Sequence, residues 1–132
     1  MRYKEDIPLT KEEAIERALM VWIVSSRSSH AISSANGIEY LEVIQPSQYL
    51  EGSKRFTREE EILVRSDKSM KVVGTGYSMI KAEDFGLSPE SVLDARFVFA
   101  NTMQPVYSDN CCHLNQRGER ILARAIALKL IR

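Results

Sequence analysis

Asp109 and His113 stand four residues apart in the stretch Tyr107-Ser108-Asp109-Asn110-Cys111-Cys112-His113-Leu114-Asn115-Gln116-Arg117-Gly118. A carboxylate a few residues before a histidine can hold the imidazole in one tautomer and stabilise its protonated form. A general base acting through a serine hydroxyl needs both. Cys111 and Cys112 add sulfur to the same stretch. Asp109, Cys111, Cys112 and His113 are all zinc ligands by type, but structural zinc sites space their cysteines by about two to four residues. Adjacent cysteines diverge, and no second ligand cluster closes the shell, so no metal is expected. A cysteine nucleophile beside His113 is disfavoured, because immediate neighbours do not easily meet side chain to side chain. The expected arrangement is one cysteine packed inward as a small hydrophobe and the other lining the loop.

Other residues invite chemistry less strongly. The serines of 25–34 fall in no G-D-S or G-x-S-x-G frame; helical spacing and small size suit them to close packing. His30 reads as a packed or helix-end histidine rather than a ligand. Gly74-Thr75-Gly76 lacks the G-x-x-x-x-G-K-[ST] frame of a phosphate loop and has no strand before it. Asp94 follows a short apolar run and is a candidate second acid, although a local cap is the better reading.

The chain has 132 residues with 18 basic and 18 acidic side chains. That length suits one domain with a real core. Balanced charge gives no global attraction to nucleic acid or anionic membrane. The last helix is locally basic (Arg117, Arg120, Arg124, Lys129 and Arg132 against Glu119), which suits a solvated face. The two cysteines are neighbours and have no distant partner, so a disulfide framework is excluded; they pair with each other only in a strained ring. The longest apolar run, 18–24, is far short of the roughly 20 residues of a membrane span. The opening residues Met1 to Asp6 show no signal-peptide pattern. A cytoplasmic location, no nucleic acid, no membrane and no cofactor are the expectations.

Elements must position the Tyr107 stretch. Thr10 and Glu13 form a capping box that opens a long helix, ended by Asn36-Gly37. Ile15, Ala18, Leu19, Trp22, Ile23 and Ser26 recur at helical spacing. Residues 38–44 are apolar on both faces apart from Glu39 and Glu42, as in a parallel strand covered on both sides. Ligands in such sheets gather beyond the carboxyl ends of strands, which makes Gln45, Pro46, Ser47, Gln48 and Tyr49 candidate pocket lining. Thr57 and Glu60 suggest a second capping box and a helix to about Val64. The run 66–69 interrupts it, and 70–85 resumes as helix with Val72, Val73, Tyr77, Ile80 and Phe85 buried; Gly74 and Gly76 weaken that expectation by about 1 kcal/mol each. Ser88-Pro89-Glu90 marks a turn and 91–95 a second strand. Residues 96–100 form a helical turn burying Phe97 and Phe99. Asn115 caps the last helix, whose apolar face is Ile121, Leu122, Ala125, Ile126 and Leu128; Gly118 in its first turn implies close backbone approach. Two parallel strands with helices on both faces make half of a doubly wound domain, with one sheet edge unpaired.

The Tyr107 stretch resembles the last block of the SGNH (GDSL-type) hydrolases, Y-x-D-x-x-H-L-N-x-x-G, and residues 22–132 are similar to the C-terminal part of that superfamily. The resemblance implies an α/β fold, the C-terminal part of a three-layer α/β/α (flavodoxin-like) sandwich. It implies serine ester hydrolysis with His113 as catalytic base and Asp109 as its acid. This chain has one residue more between acid and histidine; counting back from His113 puts Asn110 in the acid's place. The G-D-S block that carries the nucleophile is not in this sequence, nor are the Gly and Asn blocks of the oxyanion hole. The implied protein supplies His and Asp but not Ser, and as an isolated chain it is expected to be inactive. Its partners would be a small ester-type substrate, once an N-terminal half completes it, and a second copy or a complementing chain at the exposed sheet edge. The alternative is a non-catalytic remnant or interaction module of the same fold.

Overall fold

The computed structural model of the chain describes residues 8–67 and 70–131. The order there is α1 (Lys11–Ala35), β1 (Glu42–Ile44), α2 (Arg58–Val64), α3 (Lys71–Met79), β2 (Val92–Asp94) and α4 (Gln116–Leu130). Single 3-10 turns lie at Ala82–Phe85 and Pro89–Ser91. The fold class is mixed α/β, with four α-helices and a small parallel sheet among the described residues.

α1 starts where its caps dictate. Thr10 Oγ1 accepts from the Glu13 amide at 3.2 Å, and Glu13 Oε2 accepts from the Thr10 amide at 2.8 Å. The helix stops at Asn36, and Gly37 then takes φ +67, a conformation that suits glycine. β1 is shorter than the seven residues expected. It pairs in parallel with β2 in the register Glu42↔Val92, Val43↔Leu93 and Ile44↔Asp94. Only three residues of β2 follow the 3-10 turn, so residues 38–41 have no ladder partner, and Ile38 is exposed. The buried Glu42 is held by Trp22 Nε1 (3.1 Å) and the Tyr40 hydroxyl (2.7 Å), which also contacts Ser26. His30 packs edge-on against Tyr40.

One core joins Ile44, Ile80, Phe85 and Val92 to Leu19, Trp22 and Ile23 of α1. A second joins Val64, Phe99, Val106 and Tyr107 to Phe56, Leu114 and Ile121. Burying a side chain such as Phe85 or Phe99 contributes about 1.5–3 kcal/mol. Phe97 is half exposed, so the turn after β2 buries one phenylalanine and not two. The helix expected over 70–85 ends at Met79, and the backbone of the following Ile80 is extended. There Arg96 Nη1 takes the carbonyls of Tyr77 and Ile80 at 2.7 and 2.6 Å. Gly74 is a packing requirement: a Cβ there would lie 2.2 Å from the Tyr49 carbonyl oxygen. Lys68 and Ser69 of the expected interruption, the residues before Pro8, and Arg132 lie outside the described residues.

Asp94 and Arg96 lock the end of β2, with Nε to Oδ1 at 2.9 Å and Nη2 to Oδ2 at 2.6 Å. The guanidinium holds the Asp94 carboxyl below the usual carboxylate range. Folded Asp94 therefore binds protons less readily than unfolded Asp94, and stability rises with pH across that window. The contribution is complete above the ordinary Asp pKa of about 3.9 and is lost as pH falls through the lower folded value. Part of the pair is solvent-exposed, which limits it to on the order of 1 kcal/mol. Urea midpoints of wild type and Asp94→Asn should differ at pH 7 and converge below about pH 4.

Met20, Val21, Val24 and Ile32 of α1 are exposed. β1 has a ladder partner on its β2 side alone among the described residues.

Candidate active site

Local pairing builds the loop that carries the chemistry. Tyr107 and Leu114 form an antiparallel bridge. The Ser108 amide donates to the His113 carbonyl at 2.9 Å, and the Asn115 amide to the Val106 carbonyl at 2.8 Å. Residues 107–114 thus close as a hairpin whose base stands on the second core. Tyr107 anchors it, packed edge-on against Phe99 and stacked on Phe56. Burial pushes its phenol well above the ordinary tyrosine range, so it is a neutral group here. After the hairpin, Asn115 Oδ1 caps α4 by accepting from the Arg117 and Gly118 amides. Gly118 is needed at that turn, since a Cβ would lie 2.4 Å from the Val106 carbonyl oxygen.

Within the hairpin, His113 Nδ1 meets Asp109 Oδ2 at 2.5 Å. Asp109 Oδ1 accepts from the Cys111 amide at 2.8 Å and the His113 amide at 3.3 Å. These bonds, the imidazole's first, hold the Asp109 carboxyl below the usual range. With Nδ1 committed to a carboxylate, Nε2 is the nitrogen left to exchange a proton. Asn110 points elsewhere: its amide donates to Ser66 Oγ at 3.1 Å. The additional residue between acid and histidine coincides with a left-handed step, because Cys112 has φ +80. That kink lets Asp109 and His113 face each other across a longer interval.

Both cysteines are exposed, which corrects the expectation that one packs inward. Gln48 is not pocket lining. It is fully buried, and its Nε2 donates to the carbonyls of Val64 (3.0 Å) and Asp109 (2.9 Å). Tyr49 is also buried, and its hydroxyl donates to the Asn110 carbonyl at 2.6 Å. These two residues brace the hairpin from beneath, because the turn after β1 runs under it. Tyr49 does line a cavity with Lys71, Gly74 and Ser78, and neither Asp109 nor His113 is among its lining residues. Gln45 is exposed; Pro46 and Ser47 are buried.

Two supports carry no sequence signal of their own. Lys54 and Glu60 form a buried ion pair at 2.7 Å, and Glu60 Oε1 also accepts from the Val106 amide at 3.3 Å. The second capping box is therefore only half formed: Thr57 Oγ1 accepts from the Glu60 amide, while the Glu60 side chain turns inward. Arg96 is the other, and it makes Asp94 a local lock rather than a second acid at the imidazole.

An apolar groove of about 330 Å³ runs between α1 and α3, lined by Ala14, Ile15, Ala18, Leu19, Val72 and Tyr77 among others. Asp109 and His113 do not line it. The His113 side chain is 71 % exposed, so the pair sits on an open surface. Among the described residues no group of three or more His, Cys, Asp or Glu is placed to hold a metal ion, and no helix is long and apolar enough to cross a membrane. Comparison with protein-family models, curated proteins and solved structures gives no match for this chain. Fold and site define a mixed α/β chain that presents a histidine–aspartate pair on a braced hairpin.

Proposed function

We propose that the chain is the C-terminal part of an SGNH-type serine ester hydrolase, in a three-layer α/β/α sandwich completed by a segment that brings the serine. The Asp109 carboxylate against His113 Nδ1 carries this reading. His113 Nε2 would take the proton of the incoming serine hydroxyl as its oxygen attacks the ester carbonyl, then deliver it to the leaving alkoxide. Asp109 stays ionised throughout and stabilises the imidazolium. Oxyanion donors come with the serine segment. The open β1 edge and the exposed apolar side chains of α1 support a complementing chain, since parallel sheets are normally covered on both faces.

A non-catalytic interaction module is the second reading, favoured by the exposure of His113. A fluorophosphonate probe separates the two. The chain alone should take no label. Mixed with a polypeptide bearing the G-D-S block, encoded beside it, it should yield a labelled serine, and His113→Ala should abolish that labelling. No label in either case leaves the interaction module.

A further inference from the structure

The hairpin holds a second reactive group that ester hydrolysis does not use. Cys111 and Cys112 are free, exposed and adjacent, and Cys112 is the one non-glycine residue with positive φ among the described residues. The two thiols are borne on one peptide unit, at the left-handed step of the hairpin. The amides flanking the pair, those of Cys111 and His113, both donate to Asp109 Oδ1, at 2.8 and 3.3 Å. The other oxygen of the same carboxylate holds the imidazole.

We propose that Cys111 and Cys112 are a modification site for hydroperoxides, a vicinal dithiol that closes to a cyclic disulfide and in closing releases His113 from Asp109. The Cys111 thiolate attacks a peroxide oxygen, the O–O bond breaks, and Cys111 becomes a sulfenic acid while hydroxide, or alkoxide from an organic hydroperoxide, leaves and takes a proton from solvent to give water or an alcohol. The Cys112 sulfur then attacks the Cys111 sulfur; the S–O bond breaks and water departs with the Cys112 proton. Two electrons pass from the sulfurs to the peroxide. A small thiol reverses the change by thiol–disulfide exchange. Partial desolvation and the neighbouring Cys111 hold the Cys112 thiol above its ordinary range, in keeping with Cys112 as the resolving sulfur.

Geometry couples this chemistry to the imidazole. Consecutive Cα atoms lie about 3.8 Å apart across a trans peptide, whereas disulfides prefer about 4.4–6.8 Å. Ring closure therefore strains the peptide between the cysteines and the backbone on either side of it. The two amides on Asp109 sit at either end of that peptide segment, so a backbone shift there moves both donors and with them the carboxylate that holds the imidazole.

The inference goes beyond the hydrolase reading and is tested on the chain alone, so its failure and the absence of esterase chemistry are separate results. Hydrogen peroxide is added to the purified chain, which is followed by intact mass, thiol titration and ring-nitrogen NMR of His113. Expected are simultaneous loss of both thiols, a mass lower by about 2 Da, a monomer on a non-reducing gel, moved His113 signals, and recovery with dithiothreitol. Cys112→Ser should stop at a Cys111 sulfenic acid, trapped by dimedone, with His113 signals in place. Interchain dimers or sulfinic acid in place of the cyclic product would overturn the site. A cyclic product with His113 signals unmoved would overturn the release.

Discussion

Under the hydrolase proposal, Asp109→Asn should lower turnover of the chain complemented by a serine segment by about four orders of magnitude, the cost of the equivalent change in a serine protease, and leave the fold intact. The reason lies in the two oxygens of Asp109. Oδ1 accepts from the backbone amides of Cys111 and His113, and an asparagine oxygen does the same, so the hairpin persists. Oδ2 faces His113 Nδ1, and an amide nitrogen there turns an acceptor into a donor. Nδ1 must then accept, the ring proton moves to Nε2, and the nitrogen that the proposal has taking the serine proton is already occupied. Ring-nitrogen NMR reads this directly on the chain alone, as a change from the Nδ1–H to the Nε2–H tautomer. The thermal midpoint should stay within the range of a surface substitution, about 0.5 kcal/mol. Asn110→Asp should change neither quantity, because residue 110 faces Ser66. A tautomer unchanged in Asp109→Asn would remove the pair from any mechanism.

Lys54→Met should be the most damaging single change to stability. It leaves the Glu60 carboxylate buried without its cation, where the side chains of the pair are 0 % and 2 % exposed. Breaking such a pair costs about 3–5 kcal/mol, or roughly 10–20 °C in Tm for a domain of this size. The damage should reach the site, because Glu60 also holds the Val106 amide at the base of the hairpin. Lys54→Met with Glu60→Leu should recover much of the loss, since a buried pair exchanged for apolar groups is often near neutral. The Val106 amide still lacks its acceptor, which costs about 1–3 kcal/mol. Urea unfolding of the two variants measures both values. Equal stability of the single variant and wild type would show that Lys54 contributes no net ion-pair energy.

Elements set by neighbours in sequence were the legible ones. Thr10 with Glu13 and Asn115 with the first turn of α4 are satisfied within four residues, so composition and spacing suffice to find them. Parallel pairing of β1 with β2 also follows from apolar strands separated by helices. Glu60 shows where a local rule misleads: its position completes a capping pattern with Thr57, but a buried lysine offers more than the backbone amide does. Gln48 lies beyond the right strand but braces the hairpin instead of lining a pocket, and Tyr49 does both, because spacing cannot say whether a polar side chain faces solvent or the underside of a loop.

The sequence by itself determined the order of elements, the helix caps, and the presence of an acid, two sulfurs and an imidazole in one short loop. These depend on backbone propensities and hydrogen bonds that close over a few residues. Only the tertiary structure decided that Asp109 rather than Asn110 meets His113, that Cys112 turns left-handed to allow it, and that Gly74 must remain bare. Each of these depends on atoms brought together from distant parts of the chain or on a single backbone angle, and the spacing of residue types carries no record of either.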